Sequence, residues 1–212
     1  VTLWTESPLL SLVENGGRIA GVLVRHGETE VKITARHGVL LAAGGFERNQ
    51  SMREEFLPQP TDAAWSSGNP GNVGDAVRLG MAVGAATDLL DDAWWGPSFL
   101  FADGTSHFAL WERTLPHSII VDSSGNRYFN EAEPYADAGH HMYARHPRQS
   151  AVPSFLIVDS RHRNRYPMGL WPPGYTPKKA MADGDVVVAR TLISLANKLG
   201  IDAAGLVGGV AR

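Results

Sequence analysis

The hydrophobic period of this chain changes between residues 29 and 43. Thr29–Ala35 reads Thr-Glu-Val-Lys-Ile-Thr-Ala, alternating as a half-exposed strand does, whereas Val39–Ala43 is uninterrupted small and apolar, the pattern of a strand covered on both faces. Asn15-Gly16-Gly17 and His26-Gly27-Glu28 are turn sequences on either side of Arg18–Arg25, and short apolar runs precede them at Thr2–Thr5 and Pro8–Val13. A solvated β-meander is therefore expected to feed a buried strand that ends on Gly44-Gly45. Glycines at that point leave the backbone uncovered by Cβ atoms, so a phosphate, a ribose or a planar ring can approach closely. An ordinary glycine turn accounts for the same residues.

Beyond Phe46 the pattern becomes helical. Glu47–Leu57 stops before Pro58 and Pro60, and Ser66–Gly74 is a Gly, Asn and Pro loop. A helix is expected over Asp75–Ala86, starting at Asn72-Val73-Gly74-Asp75, where free amides favour an electron-rich ligand and Asp75 alternatively caps the helix. Ser118–Val121 and Arg127–Phe129 frame the turn sequence Asp122-Ser123-Ser124-Gly125-Asn126 as a hairpin. Phe155–Val158 reads as a buried strand, Tyr166–Pro177 as a loop, and Val186–Leu199 as a closing amphipathic helix with Gly200 as its C-cap. The class is α+β.

Composition narrows the function. A chain of 212 residues, 43% hydrophobic and 19% charged, can bury a core; a net charge of −3 with scattered Lys and Arg leaves no basic face for nucleic acid. Cysteine is absent, which excludes disulfides and thiol chemistry and is compatible with the cytoplasm. No apolar run reaches membrane-spanning length. The start, Val1-Thr2-Leu3-Trp4, enters directly into a strand pattern, so the chain reads as an internal fragment of a longer protein. Trp94-Trp95-Gly96-Pro97, with Phe99 and Phe101, concentrates large flat side chains that suit either core packing or an apolar planar ligand.

The runs Ala42-Ala43-Gly44-Gly45-Phe46-Glu47, Asn72-Val73-Gly74-Asp75, Trp94-Trp95-Gly96-Pro97, Glu112-Arg113-Thr114-Leu115-Pro116, Gly125-Asn126-Arg127-Tyr128-Phe129-Asn130-Glu131, Pro134-Tyr135 and His140-His141-Met142-Tyr143 follow one another in an order that resembles the 3-ketosteroid 1-dehydrogenases. These are FAD-dependent enzymes of the fumarate reductase and succinate dehydrogenase flavoprotein group. The resemblance implies a flavin-binding domain interrupted by a substrate-binding, or catalytic, domain. On that pattern residues 1–46 are the end of the first flavin-domain segment, 47–74 a connecting helix and loop, and 75–212 the substrate-binding domain. No Gly-x-Gly-x-x-Gly phosphate loop is present, so the fragment alone is expected to hold no stoichiometric FAD and to be inactive.

The resemblance also implies roles. Tyr135 matches the tyrosine that takes a proton beside the ring ketone while hydride passes to the flavin; a free phenol ionises near pH 10, so such a base needs stabilising neighbours. Ala43, Gly44, Gly45, Phe46, Gly74 and Asp75 are the expected flavin contacts, and Trp95, Phe108, Trp111 and Tyr135 the substrate contacts. The partners implied are a steroid-like small molecule and an external electron acceptor. Two residues depart from the family pattern: Asp122 stands where asparagine is common and His117 where glycine is common. Asn130-Glu131 could serve as an acid-base pair and is read instead as structural, pinning the hairpin and the Pro134-Tyr135 loop through side-chain to backbone hydrogen bonds. His140-His141 makes a poor metal pair, because adjacent helical residues point about 100° apart. The alternatives are a fumarate-type or other steroid double-bond enzyme, which for a dicarboxylate needs cationic clamps, and a non-catalytic ligand-binding domain.

Overall fold

The computed structural model describes residues 1–211. The chain forms two compact units, one from Val1–Leu57 with Gly68–Leu90, the other from Pro58–Ser67 with the chain from Asp91 onward.

In the first unit, β1 (Leu9–Asn15), β2 (Arg18–His26) and β3 (Thr29–Thr34) form an antiparallel sheet in the order β1-β2-β3. The expected turns close both hairpins, with Asn15 opposite Arg18 and His26 opposite Thr29. Gly16 and Gly17 both have positive φ, 59° and 75°, as the tight hairpin turn requires. Helix α1 (Gln50–Phe56) is capped by Asn49, whose side chain accepts from the Met52 amide at 3.1 Å and donates to the Val73 carbonyl at 2.8 Å. Helix α2 (Asp75–Ala82) is shorter than expected, since the chain leaves it at Val83 and turns at Gly84, φ 78°.

Two expectations for this unit are corrected. Thr2–Thr5 is not a strand; Trp4 instead stacks on the His26 ring at 4.5 Å. Nor is Val39–Ala43 a buried strand, and Leu40 is 89% exposed. A strand covered on both faces needs hydrogen-bonded neighbours, and among the described residues none pairs with this segment.

The second unit holds two ribbons, β4 (Ser98–Leu100) with β5 (Ser106–Phe108) and β6 (Ser118–Val121) with β7 (Phe155–Val158). Its helices are α3 (Tyr135–Arg145), α4 (Ser160–Arg165), α5 (Lys178–Asp183), α6 (Leu192–Leu199) and α7 (Ala203–Val210). The core is Val121, Ile157, Ala196, Ile201 and Leu206, with Ile119, Phe155, Leu192 and Leu199 packed against it. Burying an aliphatic side chain of this kind stabilises by about 1.5–3 kcal/mol. No described helix is long and apolar enough to cross a membrane.

The expected hairpin at residues 118–129 shrinks to one bridge, Val121 with Arg127, because β6 gives its ladder to β7. The turn between them is built by side chains. Asp122 Oδ1 accepts from the amides of Ser124 and Asn126 and from the Ser124 hydroxyl, at 2.9, 3.1 and 2.7 Å. The closing helix also starts later than its pattern suggested. Three successive valines, Val186–Val188, resist helix at χ1, and Thr191 caps α6 by accepting from the Ser194 amide. Gly200 ends α6 as expected, with φ 70°.

Candidate functional site

In the first unit the fold joins the two segments in which flavin contacts were expected. The Gly74 amide donates to the Gly45 carbonyl at 3.0 Å, and the Arg48 amide to the Asn72 carbonyl at 3.0 Å. Gly44 and Gly74 have φ of 76° and 82°. A Cβ on Gly44 would lie 2.3 Å from Asn72 Oδ1, and one on Gly74 would lie 2.4 Å from Met52 Sδ and 2.8 Å from Phe46 Cβ, so both positions require glycine in conformation and in space. Phe46 meets Phe56 edge-on at 5.8 Å, while Ala43, Gly44 and Gly45 remain exposed.

Asp75 does not cap α2. Gly74 occupies the cap position with no side-chain bond, and Asp75 turns to Arg78 at 2.7 Å. Among the described residues no side chain caps the first turn of α2, which lies beside the exposed backbone of Gly44 and Gly45, an arrangement that suits an anionic or carbonyl-bearing cofactor edge. Sequence reasoning missed the tie that holds these segments, Asn72 Nδ2 donating to Glu47 Oε1 at 2.6 Å.

In the second unit Tyr135 is the first residue of α3, behind Pro134, whose fixed φ makes it a natural helix entrance. Its ring meets Phe108 at 5.4 Å and 89°, and it is 41% exposed. Its hydroxyl has no hydrogen-bond partner among the described residues. The other tyrosines of this stretch are engaged: Tyr128 shares a 2.7 Å bond with Ser154, and Tyr143 donates to the Pro60 carbonyl at 3.1 Å. Burial pushes the Tyr128 phenol up to about 12.

Trp95 lies against α3, its ring 4.8 Å from that of Tyr143. A Cβ on Gly139 would come within 2.2 Å of Trp95 Cβ, and a Cβ on Gly96 within 2.5 Å of Phe108 Cε2. Tyr135, Phe108, Gly96, Trp95 and Gly139 therefore form one continuous packed series. Trp111 stands outside it, with 68% of its surface exposed and no ring contact among the described residues; Trp94 is 95% exposed. The signals for Gly96 and Gly139 were a glycine after paired tryptophans and an isolated glycine within a helical pattern.

The remaining polar groups are structural. Asn130 accepts from the Ala132 amide at 3.0 Å, and buried Glu131 accepts from the Ile120 amide at 2.8 Å and from Arg127 Nε at 2.9 Å, which is the pinning expected of this pair. Arg113, 2% exposed, donates to the carbonyls of Glu131 and Glu133, and burial lowers its pKa. His140 and His141 turn to different acids, Asp92 at 2.8 Å and Glu133 at 3.5 Å. No cluster of three or more His, Asp or Glu suited to a metal occurs among the described residues.

Residues 1–212 match the FAD binding domain family. The chain is 43% identical over 211 residues to a 3-oxosteroid 1-dehydrogenase of Mycobacterium tuberculosis, covering 94% of this chain, and 40% identical over 214 residues to one of Mycolicibacterium smegmatis, covering 96%. It spans 37% of the length of each. Its structure superposes with a TM-score of 0.92 and 42% identity on a 3-ketosteroid delta1-dehydrogenase from Sterolibacterium denitrificans solved with 1,4-androstadiene-3,17-dione, covering 100% of this chain and 39% of that one. The resemblance read from the motifs is thereby shown, and the chain belongs to the FAD binding domain family.

Proposed function

We propose that the protein to which this chain belongs introduces a carbon-carbon double bond beside the ketone of a 3-ketosteroid, and that Tyr135 removes the proton. The observation that carries this reading is Tyr135 itself: at the entrance of α3, its hydroxyl has no partner among the described residues and its ring meets Phe108 edge-on. In the phenolate form that oxygen takes a proton from the carbon next to the ketone, and the bonding pair left behind becomes half of the new double bond. FAD, when bound, supplies the acceptor for the hydride that leaves the neighbouring carbon. Gly44, Gly45, Phe46 and the first turn of α2 from Gly74 and Asp75 are the groups of this chain that would hold it, with Ala43 leading in. Residues 1–46 are assigned to a flavin-binding domain, 47–74 to a connection and 75–212 to the substrate domain.

Trp95 and Phe108 form the apolar wall, and Trp111, exposed beyond it, is assigned to the substrate's outer edge. A dicarboxylate substrate is disfavoured, because the two cations nearest to Tyr135 in sequence are already engaged, Arg127 with Glu131 and Arg145 with Asp122.

The test is Tyr135→Phe in the full-length enzyme. Loss of a general base lowers kcat by about 10²–10⁴-fold, and with the ring retained, FAD content and KM should hold. Near-normal turnover with FAD bound would refute the assignment. Flavin absorbance of the purified 212-residue chain tests the separate expectation that it holds no stoichiometric FAD.

A further inference from the structure

Asp92 lies outside the proposed catalytic and binding residues, yet one of its oxygens gathers the chain around them. Oδ1 accepts from its neighbour Ala93 N at 2.7 Å, from the Trp95 indole Nε1 at 2.7 Å, and bonds His140 Nε2 at 2.8 Å. The Trp95 amide donates to the Ala93 carbonyl at 2.8 Å, so residues 92–95 form a closed turn. His140 belongs to α3, the helix that Tyr135 begins. The His140 bond, then the Ala93 amide, hold the Asp92 carboxyl below the usual carboxylate range against a small opposing effect of burial.

The turn bears on Tyr135 from two directions. Trp95 packs against Gly139 and Tyr143, which with His140 gives α3 three adjoining points of support. The next residue, Gly96, seats the Phe108 ring, and Phe108 in turn meets Tyr135 edge-on. If the 92–95 turn loosens, the helix carrying Tyr135 and the ring that orients it lose a shared reference. Gly96 and Gly139 set how closely the parts approach, and Asp92 supplies the directional bonds that hold them in that arrangement.

We propose that Asp92 is a positioning residue for Tyr135, acting through Trp95 and His140. The inference rests on the assignment of Tyr135 as the base. It does not place Asp92 against substrate or cofactor. Its own bonds reach the surface, with 42% of the Asp92 side chain exposed, so its removal should alter geometry more than global stability.

The experiment uses the full-length enzyme and four variants: Asp92→Ala, Asp92→Asn, Tyr135→Phe and Asp92→Ala with Tyr135→Phe. A displacement of a reacting group by an ångström can cost about 100-fold, and Asp92→Ala should lower kcat by roughly 10- to 100-fold with FAD content unchanged. Asp92→Asn keeps an oxygen at the same place and should recover most of that loss. In the Tyr135→Phe background Asp92→Ala should have almost no further effect, because groups acting through one catalytic residue are non-additive. The Trp95 indole N–H resonance should move upfield in Asp92→Ala and stay near its original position in Asp92→Asn. An equal loss in both backgrounds, or wild-type kcat for Asp92→Ala, overturns the positioning role while leaving Tyr135 as the base. Full turnover by Tyr135→Phe alone overturns both assignments.

Discussion

Arg145, in the last turn of α3, brings its Nε and Nη2 to one oxygen of Asp122 at 2.9 and 2.8 Å, and Asp122 is wholly buried. The other oxygen shapes the turn after β6. The carboxylate thus has a cation to match it. Burial pulls the Asp122 pKa upward most strongly, but Ser124, Arg145 and the Asn126 amide together outweigh it, and the net direction is down.

Removing Asp122 takes a buried carboxylate away from Arg145 and from the turn groups that donate to it, so Asp122→Ala should destabilise the second unit by about 1–3 kcal/mol. The folded pKa lies below the unfolded value, so this contribution is present above about pH 4 and is lost as pH falls through the folded pKa. Thermal melts of wild type and Asp122→Ala should therefore draw closer in strong acid without meeting, since the protonated carboxyl still accepts from the turn. A gap that stays constant from pH 7 down to pH 2 would count against the carboxylate as its source. Asp122→Asn keeps the acceptors for the turn and loses only the ion pair, and should fall between the two.

Local punctuation was legible in the sequence and partner choice was not. The glycine turns at residues 15–17, the cap at Gly200, and the strand Phe155–Val158 all depend on a few adjacent residues, and the structure has them. Ser118–Val121 was legible as a strand, but not its pairing: the ladder goes to β7 instead of Arg127–Phe129, a choice made by the shared core of Val121 and Ile157. Val39–Ala43 carried the pattern of a covered strand, and that pattern cannot name its neighbours. In the candidate site Tyr135 was proposed from the Pro134-Tyr135 step and Phe108 from the resemblance, and the structure sets their two rings edge to face. Asp92 was missed, because nothing in its local sequence ties it to His140.

His117 gives a prediction of opposite sign. It has φ 70°, in the left-handed region that favours glycine. A residue with a Cβ is disfavoured there by roughly 1 kcal/mol, while the lost contact is a 3.6 Å approach of Nδ1 to Asp159 between half-exposed groups. Glycine also gains freedom when unfolded, which offsets part of the relief. The balance favours His117→Gly by about 0.5 kcal/mol, a rise in Tm of roughly 1–2 °C. His117→Ala keeps the strain and loses the contact, so its Tm should fall. Calorimetry of the two variants checks the sign, and a fall in both would show that the Asp159 contact outweighs the strain.

The two glycines of the packed series should separate folding from function. At Gly139 an added Cβ meets Trp95 at its Cβ and, at 3.4 Å, its Cα, atoms that move only with the backbone. Gly139→Ala should therefore be destabilising, by about 1–3 kcal/mol for an overpacked contact, and flavin loading of the full-length enzyme should drop with it. At Gly96 the added Cβ meets Phe108 at ring atoms, 2.5 Å from Cε2. A ring can swing aside at little cost to folding, but the ring that swings is the one that meets Tyr135. Gly96→Ala should then keep its Tm within about 2 °C, given that 1 kcal/mol moves Tm by roughly 2–4 °C in a protein of this size. Its kcat/KM for a 3-ketosteroid should nevertheless fall by about 10-fold or more, since orientation of the base is what has been lost. Steady-state kinetics beside a melting curve measures both. If Gly96→Ala matches wild type in kcat/KM, Phe108 does not orient Tyr135, and the edge-on contact is packing alone.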